Sequence, residues 1–442
     1  MDGRAAGHSL TPRPRTASVL NFPPALRHRD FRLLWAGQAV SIAGSRMQAA
    51  AILWQVYAIT GSPLALGAVG LAHVLPLLAV SLFAGVAADV FDRRKLMLGT
   101  QTAMLLLALL LGVLTLRGLQ SAAPIYAISA LVAVAWAFDA PARQALIPRL
   151  VPAHELAGAF SLNSTVFQLG SIIGPAVFGV VIARTGVAAA YFLNAASFLA
   201  VIGALLAMRP LPPLAATDAP PPQVSVRAAL EGLRFVRHQP IIFSSMLRDF
   251  FATFFGAANA LLPVFAQDIL KVGAAGYGWL YAAQAVGAAV TGVLLSLLPP
   301  LPHAGRVMLL AVGAYGLATI AFGLAPNFAL AFGALAVAGA ADMVSMVIRN
   351  TARNLLTPDA LRGRMTSVNM VFFMGGPQLG ELEAGAAAAL LGAPAAVVTG
   401  GVGCLLALGW IAARYPQLRA YAGTPTQPPA AGAVQPAVAS AD

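Results

Sequence analysis

Four ionisable residues lie inside long apolar stretches of this sequence, where an uncompensated charge is costly. They are Arg46, Asp249, Asp342 and Glu381. Ionisable side chains within apolar segments of membrane length are functional candidates by default. Desolvation favours the neutral form of a buried carboxyl group, so such an acid can hold a proton at neutral pH. We therefore predict that these four residues exchange protons or set the charge of a group that does.

The stretches that hold these residues predict an all-α integral membrane protein. Of the 442 residues, 59% are hydrophobic and 10% charged, and apolar runs of 18 or more residues recur. Runs of that length predict membrane-spanning helices, and no ordinary soluble core would bury so many. We predict twelve spans, at about 31–58, 64–88, 96–117, 122–145, 156–183, 187–208, 241–267, 274–298, 306–325, 328–349, 365–391 and 394–414.

Lys and Arg are distributed unequally between the two sides of the predicted membrane. With the N-terminus inside, 22 of the 27 fall on the cytoplasmic side, and only Arg117, Arg184 and Lys271 fall in loops of the other side. By the positive-inside rule, both termini are cytoplasmic. The net charge of +12 therefore indicates membrane orientation, not nucleic-acid binding.

The spans divide into two sets of six on either side of a Pro- and Ala-rich connection. We predict a disordered basic tail (1–26), a first six-helix bundle (27–208), a cytoplasmic linker with an amphipathic helix (209–240), a second six-helix bundle (241–415) and a disordered tail (416–442). A repeat supports the division. Shifted by 206 residues, the first half matches the second at Arg143/Arg349, Pro152/Pro358, Ser161/Ser367, Asn163/Asn369, Phe167/Phe373, Gly170/Gly376 and Gly174/Gly380. Such a repeat indicates a pseudo-twofold axis along the membrane normal, with a cavity between the halves.

Several motifs carry a resemblance to the major facilitator superfamily. The loop Gly85-x-x-x-Asp89-x-x-x-Arg93-Arg94-Lys95 has the spacing of that superfamily's signature between helices 2 and 3. Further matching stretches are Trp54–Tyr57, Thr60–Pro63, Pro141–Arg143, Leu150–Pro152, Leu261–Ala266, Arg362–Arg364 and Gly380–Leu382. Over about residues 27–415 the chain resembles the bacterial branch that includes enterobactin exporters and macrolide efflux proteins.

The resemblance implies a cytoplasmic gate. Asp89 corresponds to the acid that pins the gate in the family, with Arg93 and Arg143 as its candidate partners. A carboxylate there can face the positive N-terminal end of span 11 and a loop cation. Val90 stands where the family often has a cation, so one member of the family's charge network is replaced here by an apolar residue.

Span 5 resembles the family's antiporter motif, with Gly170, Gly174, Pro175 and Gly179 at the matching positions and Phe178 replacing a glycine. Small residues at this spacing let a neighbouring helix approach closely, and Pro175 bends the helix. Residues 122–138 hold no cation, so the Arg that the family usually has in span 4 is missing.

The resemblance also implies that spans 1, 4, 7 and 10 line the cavity. Polar candidates for its lining are Gln48, Asn259, Gln284 and Ser345. Asp342, Ser345 and Arg349 share one helical face. Asp249 has two interpretations: it is functional, or its charge is neutralised by Arg248 or by a loop cation. His73 is interpreted as a packed residue.

The expected function is export of a small amphipathic organic molecule, a drug or siderophore, by proton-coupled antiport with alternating access. A uniporter or importer remains an alternative, and a non-transporting membrane sensor a weaker one. The sequence has no nucleotide-binding loop, no metal-ligand cluster and a single cysteine, Cys404, so we expect no enzyme, cofactor or metal. The expected partners are the substrate, protons and the bilayer. The family implies a monomer, in the inner membrane of a bacterium.

Overall fold

Twelve long helices make up most of the chain in the computed structural model. It describes residues 23–118, 121–210, 233–299, 302–358 and 361–423. The helices are α1 (Arg29–Thr60), α2 (Pro63–Val90), α3 (Arg93–Leu116), α4 (Ala123–Leu146), α5 (Leu156–Thr185), α6 (Val187–Ala207), α7 (Pro240–Phe255), α8 (Gly273–Leu297), α9 (Ala304–Gly323), α10 (Phe328–Leu356), α11 (Arg362–Leu391) and α12 (Ala393–Arg414).

Ten helical segments of the described chain are long and apolar enough to cross a membrane. The two long helices outside that set, α1 and α11, carry Arg46 and Glu381 together with further polar residues, among them Gln48 in α1 and Glu383 in α11. The candidates Asp249 and Asp342 lie in segments that do belong to the set. The predicted fold class, an all-α membrane protein of two six-helix bundles, is confirmed.

Helix ends follow local capping rules. Gly61 ends α1 with a φ of 58°, and Gly186 and Gly392 follow α5 and α11 with φ values of 83° and 84°. Glycine adopts this left-handed region without the steric cost of a Cβ atom. Asp92 caps α3 by accepting hydrogen bonds from the backbone N–H groups of Arg94 (2.9 Å) and Lys95 (3.1 Å). The loop between α2 and α3 is therefore short because Asp92 starts the next helix at once.

The seventh predicted span is not one continuous α-helix. After α7 the chain turns at Gly256 and continues through a 3-10 turn (Ala258–Leu261), one α-turn (Leu262–Val264) and a π-turn (Phe265–Ile269). Gly256 is the C-terminal cap of α7, and its carbonyl oxygen accepts a hydrogen bond from the Tyr315 hydroxyl of α9 (3.0 Å). Broken helices at membrane depth occur where the chain is buried in protein or lines a cavity.

Helices α1–α6 pack among themselves, as do α7–α12, and the two bundles meet along two helix pairs. These pairs are α2 with α11 and α5 with α8. The largest apolar cluster joins both bundles. It includes Leu53 and Phe178 of the first and Leu261 and Phe265 of the second, and it lies toward the end opposite the chain termini. The described clusters near the termini each belong to one bundle. Among described side chains, the bundles are therefore sealed together at one end only.

The ordered chain extends a few residues into each of the two predicted disordered tails. Pro24–Arg27 form a 3-10 turn in which Ala25 and Leu26 are buried, so this end of the predicted disordered tail 1–26 is ordered. Residues 1–22 lie outside the described chain. At the other terminus, α13 (Pro416–Ala420) packs on α9 through the fully buried Leu418, which corrects the first part of the predicted tail 416–442. Residues 424–442 lie outside the described chain.

Of the predicted amphipathic helix in the linker, only residues 233–238 are described, and they are helical. Val236 is fully buried in a cluster with Ile242 and Met365 of the second bundle. The apolar side of this end of the segment therefore packs on the second bundle. The remainder of the predicted helix lies outside the described residues.

Candidate functional site

The small residues of α5 place this helix against both bundles. Gly170 and Gly174 face α1, where a Cβ atom at Gly174 would overlap the Ala43 carbonyl oxygen. Pro175 and Gly179 face α8, and a Cβ atom at Gly179 would lie 3.0 Å from a backbone oxygen of α8. Close backbone approach of this kind requires small residues. The four predicted motif residues thus lie together where α5 joins its own bundle to the other one.

A buried cluster of charges connects α7 and α10 in the second bundle. Arg349 forms an ion pair with Asp249, and its other terminal nitrogen lies 3.8 Å from Asp342. Arg248 is 1% exposed and donates a hydrogen bond to the Ser345 hydroxyl (2.7 Å). The sequence left open whether Asp249 pairs with Arg248; its partner is Arg349. The Asp342 side chain is 47% exposed, so it is the acid of this cluster that an entering molecule can reach.

A second polar cluster lies between α3 and α4 in the first bundle. Asp139 is 2% exposed and accepts hydrogen bonds from Thr100 (3.0 Å) and Gln101 (2.9 Å). Arg143, one turn further along α4, lies 3.6 Å from the same carboxylate. Burial of a charged pair is tolerated when further hydrogen bonds satisfy it. Arg143 is therefore already held by its own helix near the end that carries the termini.

The predicted gate is described only in part. Arg93 donates a hydrogen bond to the Ala145 carbonyl oxygen (3.1 Å) at the end of α4, which brings it to the end of the helix that carries Arg143. The Asp89 side chain lies outside the described residues. The contact of Asp89 with Arg93 or Arg143 stays a prediction.

Arg46 lies on α1 with its guanidinium 4.4 Å from the centre of the Phe167 ring of α5. Tyr281 of α8 and His73 of α2 lie nearby. Within the described chain Arg46 forms no ion pair. A cation over an aromatic face is stabilised by the ring quadrupole, more so away from water. Arg46 thus lies among α1, α2, α5 and α8, which belong to both bundles.

Glu381 lies on the other contact between the bundles, that of α11 with α2. A Cβ atom added at Gly70 would lie 2.7 Å from its carboxylate oxygen Oε2, so the carboxyl group rests on the backbone of α2. Tyr281 lies nearby, but within the described chain Glu381 has no hydrogen-bond or ion-pair partner. This separates Glu381 from the ion-paired Asp249.

Two of the four predicted cavity-lining residues lie elsewhere. Gln48 is 5% exposed and accepts a hydrogen bond from Asn194 (2.7 Å) between α1 and α6, and Ser345 is occupied by Arg248. Both prefer protein partners because a polar group buried without one is costly. Asn259 donates to Gln284 (3.2 Å) and both are partly buried, so these two remain candidates for the lining.

Polar contacts also join the bundles at the sealed end. Tyr57 of α1 donates a hydrogen bond to Asp268 in the π-turn that extends α7. Tyr277 of α8 donates to the Ala50 carbonyl oxygen (3.0 Å), and its ring lies 5.2 Å from that of Trp54. Every one of these contacts must break if the bundles separate at this end.

The sequence interpretation missed Tyr281 and Asp268 and treated His73 as a packed residue. Tyrosines within apolar runs resemble core residues, and Asp268 follows a span close to the predicted loop. Only the arrangement of both bundles shows that Tyr281 lies near Arg46 and Glu381. The sequence around Tyr281 and Asp268 does not indicate which residues of the first bundle lie beside them.

Comparison with known proteins identifies the family of this chain. Residues 21–439 match the family described as transmembrane secretion effector. The chain belongs to this family. Members of the transmembrane secretion effector family share the major facilitator fold, and this member is a transporter of that type.

Curated relatives of this transmembrane secretion effector include exporters. The chain is 28% identical over 420 residues to the enterobactin exporter EntS of Escherichia coli O6:K15:H31 (strain 536 / UPEC), which covers 94% of this chain and 98% of the relative. It is also 28% identical over 415 residues to the enterobactin exporter EntS of Shigella boydii serotype 18, covering 92% and 97%.

Solved structures agree on the fold. The nucleoside transporter NupG matches with a TM-score of 0.71 at 12% identity, covering 87% of this chain and 98% of that one. A bacterial homologue of the human lysosomal transporter Spinster, in its inward-facing and occupied conformation, matches with a TM-score of 0.68 at 15% identity, covering 89% and 98%. At these identities the likeness concerns the fold alone.

Proposed function

We propose that this transporter exports a small amphipathic organic molecule, a drug or siderophore, in exchange for protons. The observation that carries the proposal is Glu381, a partly buried carboxyl group with no described partner at the contact between the bundles. A carboxyl group of this kind can take up and release a proton without breaking an ion pair. Its position on α11, against α2, exposes it to any movement of one bundle on the other.

The other candidate acids have different roles in this proposal. Asp249 is held by Arg349, so its ionised form is stabilised in place. Asp342 lies 3.8 Å from Arg349 with an exposed side chain, and it competes with Asp249 for the same cation. Asp342 therefore ranks second to Glu381 as the proton carrier, and Asp249 third.

Arg46 supplies the fixed positive charge of the site. It lies over Phe167 and near Tyr281, which in turn lies near Glu381. Release of the Glu381 proton creates a negative charge that a hydrogen-bond donor or cation of the substrate stabilises. Substrate and proton then compete for Glu381, which is the condition for exchange.

The contacts between the bundles at one end support alternating access. If both termini are cytoplasmic, as charge asymmetry predicts, the end held by the described contacts is the outer one. Opening outward requires loss of the contacts Tyr57–Asp268 and Tyr277–Ala50. Closure at the inner end would bring the loop of Asp89 to the cations Arg93 and Arg143.

The names of the relatives support a siderophore as substrate, and the family supports a monomer in the inner membrane of a bacterium. The test is transport in proteoliposomes loaded with a catecholate siderophore or a cationic drug, with and without an imposed pH gradient. Exchange predicts that an opposing proton gradient drives the substrate against its own gradient. Flux that only follows the substrate gradient would instead identify a facilitative uniporter.

A further inference from the structure

Two apolar grooves on the outer surface of the helices end at a basic residue. The first groove lies between α3 and α4, has a volume of about 630 Å³ and is lined by Leu96, Leu107, Leu131 and Phe138 with Lys95 at its mouth. The second lies between α9 and α12, has a volume of about 490 Å³ and has Arg419 of α13 at its mouth. Cavities of this size accommodate small organic ligands.

Glycines open both grooves. Nothing lies within 4 Å of a Cβ atom built on Gly99 in the first groove or on Gly409 in the second. Exposed leucines flank them, among them Leu106 at 58%, Leu310 at 75% and Leu317 at 60% exposure. Because these helices cross the membrane, such exposed surface faces acyl chains, and the missing side chains leave room for one to enter.

The cations at the two mouths are available to a ligand. Within the described chain, neither the Lys95 ammonium nor the Arg419 guanidinium has an ion-pair or hydrogen-bond partner, and both side chains are exposed. Arg419 is held in place because Leu418 is fully buried and the Gly305 N–H donates to the Tyr421 carbonyl oxygen (2.9 Å). The ordered start of the C-terminal segment thus fixes a cation over the second groove.

We propose that each groove binds one anionic phospholipid, with an acyl chain along the apolar walls and the phosphate at Lys95 or Arg419. Both cations lie at the end of the bundle that carries the termini, which charge asymmetry assigns to the cytoplasm. The cytoplasmic leaflet carries the anionic lipids, and basic residues beside membrane helices bind their headgroups. The occupant is therefore a lipid of negative charge and not a neutral one.

The first groove is connected to the polar cluster of the first bundle. Thr100, which lines the groove, donates the hydrogen bond to Asp139, the partner of Arg143. A lipid in this groove contacts the back of the helix pair that carries two of the predicted gate residues. The proposal does not depend on the identity of the exported molecule.

The test is native mass spectrometry of the delipidated protein in detergent, titrated with phosphatidylglycerol or with phosphatidylcholine. We expect two sites that prefer phosphatidylglycerol. Lys95→Gln or Arg419→Gln should weaken one of the two sites about fivefold, the effect of one cation near the membrane surface. Gly99→Leu and Gly409→Leu should each reduce occupancy of one site, and Lys95→Gln with Arg419→Gln should reduce both.

Matched controls are Arg184→Gln, an exposed cation at the opposite end, and Gly203→Leu, an exposed helical glycine of α6 with nothing within 4 Å of its Cβ position. Both should leave lipid binding unchanged, and all variants should elute as the native protein on size exclusion. Equal binding of the two lipids, or equal loss in the control variants, would overturn the proposal.

Discussion

Removing Arg349 should destabilise the second bundle more than any other single change in its charge cluster. Arg349 is 4% exposed and its partner Asp249 is 6% exposed, so Arg349→Met leaves a buried carboxylate without its cation. Breaking a buried ion pair from one side costs about 3–5 kcal/mol. At roughly 2–4 °C per kcal/mol for a unit of this size, the midpoint of thermal unfolding should fall by roughly 6–20 °C.

Asp249→Asn should cost less, because Arg349 keeps a second carboxylate, Asp342, at 3.8 Å. The double variant Asp249→Asn/Arg349→Met should be more stable than Arg349→Met alone, since the buried carboxylate that loses its cation in Arg349→Met is absent from the double variant and Asp342 is half exposed. Intrinsic fluorescence during heating in detergent measures all three. The matched control is Arg143→Met, where Asp139 keeps its bonds from Thr100 and Gln101, so a smaller loss is expected. Additive losses in the double variant would refute the assignment of this pair.

Two further predictions concern the contacts between helices. Gly174→Val should prevent correct packing of α5 on α1, because its Cβ atom would overlap a backbone oxygen that cannot move aside. Size-exclusion chromatography should then show a smaller monodisperse peak. The control Gly158→Ala, at an open position, should elute as the wild type does. Tyr57→Phe should weaken the sealed end, because it removes the hydrogen bond to Asp268. The assay uses a Cys404→Ala background carrying Asn259→Cys, in which labelling by a membrane-impermeant maleimide from outside should rise severalfold. Unchanged labelling would show that the Tyr57–Asp268 contact does not hold this end closed.

Most of the fold could be predicted from the sequence because span length, capping residues and charge asymmetry are local signals. The predicted end of the first span (58) and start of the second (64) lie within two residues of the observed Thr60 and Pro63, whereas the third helix begins at Arg93, three residues before the predicted 96. The break in the seventh span was missed because Gly256 and Pro263 lie in a run whose hydropathy stays high. The order of Pro416–Ala420 was missed because it depends on packing against α9, which composition does not report.

The site could be predicted only as separate residues. Burial of charge in apolar runs identified Arg46, Asp249, Asp342 and Glu381, but partner choice depends on how helices face one another. Asp249 pairs across to α10, while Glu381 has no described partner. Gln48 was predicted to line the cavity. A polar side chain in a span can either face a cavity or form a buried hydrogen bond with another helix, and the sequence does not distinguish the two.

The most direct test of proton exchange compares substrate-driven proton release by the wild type and by Glu381→Gln, measured with a pH-sensitive dye in weakly buffered detergent solution. Glu383→Gln is the matched control, two residues away on the same helix. We expect that addition of a transported siderophore or drug releases protons from the wild type and from Glu383→Gln, and that Glu381→Gln still binds the substrate but releases none. Undiminished proton release by Glu381→Gln would show that another group carries the exchanged proton.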